Sequence, residues 1–254
     1  MNILVCVKRV PDTGAKMVLT EDQQDIDTKN LGFTVSPHEE CAEEEAVRQI
    51  EEHGGSSTIL TLGPEDAVEQ LQDGLALGLD EAVLLEDGGK EWDPTATSRA
   101  IAEAVKHLES EGAPFDVLLF GNEAADSADF QVGVRVAHAM GLPVVTAVKD
   151  LTFEDGEAVA KREISGGWER YEVSLPAVFT VKEGINVPRY PSLRGRMQAR
   201  RQEVKRLSLE RQPGGLKKIR LRVPEEEDGG AEVLGEGPGT VGKVVDLLQD
   251  MGVV

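Results

Sequence analysis

Short apolar runs alternate along most of the chain with longer segments in which apolar residues recur every three to four positions. The apolar runs predict buried strands at residues 3–7, 57–63, 81–87, 115–121, 142–148 and 176–182. The longer segments predict amphipathic helices at residues 36–55, 64–80, 93–110 and 129–141. Strands that alternate with such helices are typical of right-handed crossover connections, so we expect an α/β fold with a parallel sheet.

Two regions depart from this alternation. Residues 17–35 mix polar and apolar positions and predict a loop or hairpin. Residues 149–164 and 166–175 predict antiparallel ribbons, with turns at Asp155-Gly156 and Gly166-Gly167. We therefore expect a β-ribbon inserted before the last strand of the sheet.

The last part of the chain is less regular. A basic loop and a polar tail follow the strand at 176–182, and residues 224–239 have the composition of a linker. Residues 240–252 predict a short closing helix. Because this arm has little core of its own, it would gain most by packing on another chain.

The composition limits both the core and the surface. The 254 residues are 40% hydrophobic but only 4% aromatic, which predicts a core of Val, Leu, Ala and Ile. Acidic residues number 47 against 27 basic ones, a formal net charge of −20. An ordinary solvated acidic surface and adaptation to a salty cytoplasm would both give this balance. General binding to nucleic acid is not expected, because most of the surface would repel phosphates.

Several classes of protein are disfavoured by missing patterns. The two cysteines, Cys6 and Cys41, lack zinc-type spacing, so we predict no metal site. The N-terminal segment is charged too early for a signal peptide, and no apolar run approaches the roughly 20 residues of a membrane helix, which predicts a cytoplasmic protein. No GxSxG, HExxH or Walker A pattern occurs, and no side chain is predicted to be catalytic.

The expected ligand site lies beyond the carboxyl ends of the strands, where open parallel sheets bind their ligands. Four segments are expected to meet there, at residues 6–9, 36–39, 62–64 and 121–133. The last is a long loop of small polar residues before a helix, whose free amides favour phosphate. This arrangement favours a nucleotide site, although an ordinary loop with a good cap would have the same pattern.

Five stretches of sequence carry information about the family. They are VCVKRVPDT, SPHEECAEEEAVR, LTLGPEDAVEQLQDGLALGLDEAVLL, LLFGNEAADSADFQVG and LPAVFTVKEGINVPRYPSLRGRMQARRQEV. Together, over roughly residues 1–205, they resemble the β subunits of electron transfer flavoproteins. The resemblance implies a Rossmann-like parallel sheet of the adenine nucleotide alpha hydrolase-like type, with a β-ribbon insertion and an extended C-terminal arm.

The resemblance also implies a function. The chain would form a heterodimer with an α subunit and would be an electron carrier subunit, not an enzyme. FAD shared with the α subunit would pass electrons from acyl-CoA-type or other flavin dehydrogenases to a quinone oxidoreductase, which would make the protein peripheral to the membrane. The β subunit would bind an adenine nucleotide of its own, AMP in simple members and a second FAD in electron-bifurcating ones.

Candidate nucleotide contacts follow from positions that match the family. They are Cys6, Ser36, Pro37, His38, Glu39, Leu62, Glu123, Ala124, Ala125, Asp126, Ser127, Ala128, Asp129, Phe130, Gln131, Val132, Gly133 and Val134. The resemblance implies that backbone amides from about Asp126 to Val132 meet the phosphates.

Some positions depart from the family pattern. Ser36 stands where the family has Asn, and Ala128 replaces an expected acid, for which Asp129 is the alternative. Thr13 stands where simple members often place an aromatic residue. Pro191 and Gly195 resemble the bifurcating or quinone-linked branch, so AMP and FAD both stay open.

One segment is basic in this acidic chain. Residues 187–201 contain five arginines and no carboxylate, and residues 189–222 contain twelve basic and two acidic residues. By resemblance this is a partner recognition loop, stiffened by prolines and anchored by Leu193. The docking residues implied are Arg189, Tyr190, Leu193 and Arg194. The parts implied are a nucleotide-binding domain at 1–183, the loop and a short basic helix at 184–206, and an arm at 207–254 packing on the α subunit.

Other interpretations stay open on sequence grounds. A stand-alone adenine-nucleotide-binding module of the universal-stress or ATP-hydrolase-like type would need a complete phosphate loop and no partner arm. A nucleic-acid-binding protein using residues 194–206 would need further basic or aromatic surface in the main domain. A merely solvated basic helix would also explain the basic segment.

Overall fold

The structure is a computed structural model that describes residues 1–12, 14–154, 156–212, 214–224 and 233–253. Thr13, and Asp155 of the predicted Asp155-Gly156 turn, lie outside the described residues. So does half of the expected linker, at residues 225–232.

The described residues form eleven strands and six α-helices. The strands are Asn2–Val7 (β1), Val10–Pro11 (β2), Phe33–Thr34 (β3), Ser56–Gly63 (β4), Glu81–Glu86 (β5), Val117–Gly121 (β6), Val144–Glu154 (β7), Glu157–Ile164 (β8), Gly167–Ser174 (β9), Ala177–Val181 (β10) and Val204–Leu207 (β11). The helices are Pro37–His53 (α1), Val68–Leu77 (α2), Pro94–Glu111 (α3), Val132–Met140 (α4), Leu193–Ala199 (α5) and Val241–Asp250 (α6).

Nine strands form one sheet, in the order β11-β5-β4-β1-β6-β10-β7-β8-β9. The strands from β11 to β7 are parallel, which confirms the predicted α/β fold. At the other end β8 pairs antiparallel with β7, and β9 with β8, where the sequence predicted ribbons. A separate two-stranded pairing of β2 with β3 closes the loop predicted at 17–35.

Side chains of β1 alternate between two apolar cores, one on each face of the sheet. Ile3, Val5 and Val7 point into the core that contains α1 and α2. Leu4 and Cys6 point into the core formed with α3 and α4. Both faces of the central strands are thus covered, which is why these strands are near-continuous apolar runs in the sequence.

The basic segment adds two elements to the main domain. Helix α5 packs on α2, where a Cβ atom on Gly195 would lie only 2.6 Å from the carbonyl oxygen of Ala76. Strand β11 then pairs with β5 and becomes one edge of the sheet. The sequence predicted the short helix but not this strand, because two apolar residues among four give too weak an alternation.

Candidate functional site

The predicted nucleotide segments do meet at the carboxyl edge of the sheet. Strands β4, β1, β6 and β10 are neighbours, so the loops that follow them leave the sheet side by side. Ser36 Oγ donates a hydrogen bond to the carbonyl oxygen of Glu123, at 3.3 Å. Lys8 Nζ lies 2.7 Å from a carboxylate oxygen of Asp126. Three of the four segments are therefore directly joined, while their role in binding a nucleotide stays a prediction.

Helix α1 begins with a reciprocal cap. The Glu39 amide donates to Ser36 Oγ at 3.4 Å, and the Ser36 amide donates to Glu39 Oε2 at 3.0 Å. Pro37 occupies the first turn, where its missing amide hydrogen is not needed. Ser36 and Glu39 are both buried, so these two candidate contacts already serve the start of the helix.

The Glu39 carboxyl group is buried directly beneath the edge of the sheet. Burial raises its pKa to about 7, although hydrogen bonds from the amides of Ser36 and Lys8 oppose that rise. A Cβ atom on Gly121 would lie 2.6 Å from Glu39 Cγ, so only glycine permits this approach of β6 to α1. Burial, and secondarily the charge of Glu39, raises the pKa of Cys6 well above its ordinary value, which keeps the thiol unreactive.

His38 joins two loops that the sequence analysis treated separately. Its Nδ1 atom accepts a hydrogen bond from the Glu183 amide at 2.7 Å. Its Nε2 atom lies 3.1 Å from Glu123 Oε1. The ring is only 15% exposed, so both partners hold it within the fold.

Asn122 lies within the predicted segment 121–133 but was not among the candidate contact residues. Its backbone amide donates to the carbonyl oxygen of Val181. Its side-chain Oδ1 atom accepts from the backbone amide of Ala147 and from Thr180 Oγ1. The side chain thereby joins β6 to β7 and β10. A lone asparagine after a strand carries no sequence signal that distinguishes this role from an ordinary turn.

The N-terminus of α4 faces the same edge without a side-chain cap. Gln131 is the N-cap residue, but its Oε1 atom accepts from Arg135 Nε at 3.0 Å instead of from the first turn. The helix packs tightly on the sheet, since a Cβ atom on Gly133 would lie 2.8 Å from Thr180 Cγ2. Free first-turn amides at this position are the donors that a phosphate group requires, so the residues present fit the nucleotide that the family implies.

The remaining candidates of the loop differ in accessibility. Ala128 adopts a positive φ of 50°, and its amide donates to the carbonyl oxygen of Ala124. Asp129 is partly buried, whereas the Phe130 ring is exposed. Leu62 is partly buried against the core beneath α3 and α4, two strands away from this loop.

Arg189 is anchored on α1 and does not extend outward. Its guanidinium contacts Glu44 at 2.8 and 3.0 Å and Glu51 at 2.6 and 2.9 Å, and its own amide also donates to Glu44. These hydrogen bonds, to Glu51 first and then Glu44, raise the pKa of Arg189 above its ordinary value. The next residue, Tyr190, is 95% exposed, and Leu193 is 78% exposed. The exposed tip, residues 190–193, therefore follows directly after a residue that is fixed on α1. We call this attachment of Arg189 to α1 the base of the tip.

The buried glutamates that form this base were not predicted. Glu44 and Glu45 are buried, and Asn186 Nδ2 donates to Glu45 Oε2 at 2.9 Å and to the Cys41 carbonyl oxygen at 3.0 Å. A run of consecutive glutamates in a sequence is typical of a solvated helix face. Only their partners from residues 186–189, far along the chain, explain their burial.

Comparisons with known proteins identify the family. A model of the electron transfer flavoprotein domain matches residues 25–211. The chain is 33% identical to "Electron transfer flavoprotein subunit beta" of Bacillus subtilis over 258 residues, 98% of each chain. It is 36% identical to "Caffeyl-CoA reductase-Etf complex subunit CarD" of Acetobacterium woodii over 208 residues, 80% of this chain and 77% of that relative.

The fold and these relatives define an electron carrier subunit. The chain belongs to the electron transfer flavoprotein family, which confirms the resemblance that the sequence motifs indicated. Within the described residues, no helix has the length and apolar character to cross a membrane.

Proposed function

We propose that this chain is the β subunit of a heterodimeric electron transfer flavoprotein that binds an adenine nucleotide at the carboxyl edge of its sheet. The observation that carries the proposal is the meeting of the Ser36–Glu39 turn, Lys8 and the uncapped start of α4 at that edge. When bound, FAD shared with an α subunit supplies the redox chemistry. This chain supplies position and electrostatics.

The nucleotide is AMP or a second FAD. Backbone amides from about Asp126 to Val132, which lead into the uncapped first turn of α4, would hold its phosphates, and the 36–39 turn would lie beside its nucleoside. One relative is named as a subunit of a reductase–Etf complex. Pro191 and Gly195 resemble the sequence pattern of the bifurcating or quinone-linked branch of the family. These two features favour FAD, while the family name alone is compatible with AMP.

The exposed tip from Tyr190 to Leu193 is the proposed docking surface for flavin dehydrogenases. Leu193 projects from a short helix whose first turn Ser192 caps, at 3.0 Å from the Gly195 amide. A fixed base and a capped helix lower the conformational entropy that docking must remove. The basic residues around the tip favour a partner with an acidic surface, and a quinone oxidoreductase at the membrane would accept the electrons.

The arm beyond β11 is proposed to pack on the α subunit. No residue of α6, all of which the structure describes, is buried against the rest of the chain. Val241, Val245 and Leu247 are exposed, so this helix offers an apolar surface that another chain would cover.

Counting nucleotides tests the proposal. The chain is coexpressed with the α subunit, the purified heterodimer is denatured, and the released nucleotides are separated and quantified. One FAD with one AMP, or two FAD, per heterodimer is the expected result and assigns the ligand. A heterodimer that releases no nucleotide beyond one FAD would contradict the nucleotide site. A colourless monomer would favour the stand-alone nucleotide-binding module instead.

Leu193→Ala tests the docking surface. We expect slower reduction by a flavin dehydrogenase, with unchanged cofactor content, because an exposed anchor contributes to the encounter and not to the fold. Met197→Ala is the matched control, since Met197 is also exposed on α5. Equal rates for the two variants, or loss of FAD in Leu193→Ala, would contradict a docking role.

A further inference from the structure

The hydrogen-bond partners of His38 determine which ring nitrogen carries the hydrogen in the neutral imidazole. The Glu183 amide can only donate, so Nδ1 must accept with its lone pair at 2.7 Å. The proton of the neutral ring therefore sits on Nε2, which donates to Glu123 Oε1 at 3.1 Å. The imidazole thus forms a relay of two directed hydrogen bonds, and its mostly buried position limits other partners.

One end of this relay lies in the predicted nucleotide loop, and the other lies just before the segment that carries the predicted docking residues. Glu123 lies in the loop that leads to the start of α4. Glu183 follows β10 and begins the segment that runs through Asn186 to Arg189 and the exposed tip.

The other anchors of this segment do not touch the nucleotide loop. Asn186 and Arg189 are held by residues of α1, namely Cys41, Glu44, Glu45 and Glu51. Asn122 contacts β10 at Thr180 and at Val181, the last residue of that strand, and not the chain beyond it. Among the hydrogen bonds of the described residues, His38 is the side chain that contacts both the nucleotide loop and the chain beyond β10, whereas Ser36 joins that loop only to the start of α1.

We propose that His38 is a positioning residue that couples the nucleotide loop to the base of the docking segment. Movement of Glu123 shifts the ring, and the ring carries the main chain at Glu183 with it. What each surface binds rests on the proposed function, whereas the coupling between the surfaces does not. A filled nucleotide site would thereby favour one position of the Tyr190–Leu193 tip.

Amide hydrogen exchange of the heterodimer, followed at Glu183, tests the coupling without any added ligand. Loss of the hydrogen bond in His38→Phe should speed exchange of this amide by about fivefold. Glu123→Ala should also speed it, because the ring loses its second partner. In the His38→Phe background Glu123→Ala should have no further effect. Equal effects of Glu123→Ala in both backgrounds, or none in the parent, would overturn the proposal.

Addition of AMP to nucleotide-depleted heterodimer separates this inference from the proposed function. We expect AMP to slow exchange at residues 123–134 and at Glu183 in the parent, but only at 123–134 in His38→Phe. Slowing at Glu183 in His38→Phe would overturn the coupling. If 123–134 show no slowing in either protein, AMP binding is contradicted, and the ligand-free comparison still decides the coupling.

Two controls keep the interpretation specific. His107→Phe changes an exposed histidine on α3 that pairs with Glu111, so it should leave exchange at Glu183 unchanged. Nitrogen NMR of the parent's imidazole should show a protonated Nε2 and an unprotonated Nδ1 for His38. The opposite tautomer would remove the relay and overturn the proposal even if the substituted proteins failed to fold.

Discussion

Helices α1 and α6 invert the usual arrangement of a surface helix in opposite ways. Helix α1 buries Glu39, Glu43, Glu44 and Glu45, whereas all ten residues of α6, each one described, lie outside any core although many are apolar. An ordinary amphipathic helix buries its apolar face and exposes its charges.

The difference lies in the partners that the chain itself supplies. Glu39 is bonded by backbone amides, Glu44 by Arg189, and Glu45 by Gln49 and Asn186. Charged groups can be buried only with such partners, so Glu39, Glu44 and Glu45 are accommodated within the subunit. Glu43 differs, because its Oε1 atom has no hydrogen-bond partner among the described residues and burial raises its pKa well above the ordinary value. The apolar residues of α6 have no comparable surface in the described chain. We infer that α1 positions the residues of the candidate nucleotide site, whereas α6 would be covered by another polypeptide.

Stability against pH should show the largest effect, through Glu39. Its pKa is about 7 in the folded chain against an ordinary 4.5, so the folded state holds an extra proton between these values. The free energy of unfolding should therefore fall by up to about 3 kcal/mol as pH rises from 4.5 through 7, and then level off. Glu39→Gln should flatten this fall, as denaturant titrations across this range would measure.

The control for this experiment is Glu52→Gln, on the exposed face of the same helix. It should keep the full pH dependence of the parent. Burial also raises the pKa of Glu43, so Glu39→Gln should retain part of the slope. Identical curves for Glu39→Gln and the parent would show that Glu39 is not the titrating group.

Arg189→Ala should have the next largest effect. The substitution leaves the buried Glu44 carboxylate without its guanidinium. Breaking a fully buried pair costs about 3–5 kcal/mol, but Arg189 is 35% exposed, so we expect about 2 kcal/mol. Chemical unfolding of the purified chain measures this loss. Arg194→Ala, an exposed arginine of the same segment, should change stability by less than about 0.5 kcal/mol. Equal losses would contradict the anchoring of Arg189.

A pair of glycines sharpens the comparison further. In Gly195→Ala the new Cβ atom would meet the carbonyl oxygen of Ala76 at 2.6 Å, and a backbone atom of α2 cannot move aside cheaply. We expect a loss of about 1–2 kcal/mol. In Gly242→Ala, on α6, nothing lies within 4 Å of the new atom. That variant should unfold at the same denaturant concentration as the parent, and a matching loss would place α6 against the domain.

Much of this architecture could be predicted from the sequence, for physical reasons that also explain the omissions. Both faces of β1, β4 and β6 are buried, and the resulting apolar runs are strong signals. The four segments at the carboxyl edge follow from the chain reversal at each strand end. The closing helix α6 was visible because its apolar spacing does not depend on whether a partner is present.

The contacts between distant parts of the chain were not predictable. The glutamates of α1 look like a solvated run until Arg189 and Asn186 reach them from nearly 150 residues away. The same limit explains why Arg189 was predicted only as a docking residue. Periodicity reports which face of an element is apolar, but it cannot report which distant partner permits a charge to be buried.

Leu247→Ala should give the smallest effect and the sharpest test of the contrast between the helices. Leu247 is 45% exposed on α6, and alanine keeps the helix propensity, so unfolding of the isolated chain should change by less than about 0.5 kcal/mol. Leu71→Ala makes the same change at a fully buried position of α2 and should cost about 2–5 kcal/mol. With the α subunit present, Leu247→Ala should weaken assembly, because the helix then buries that side chain. Comparable losses for both variants in the isolated chain would show that α6 already packs on its own domain, and the division between a completed and an unpartnered helix would be wrong.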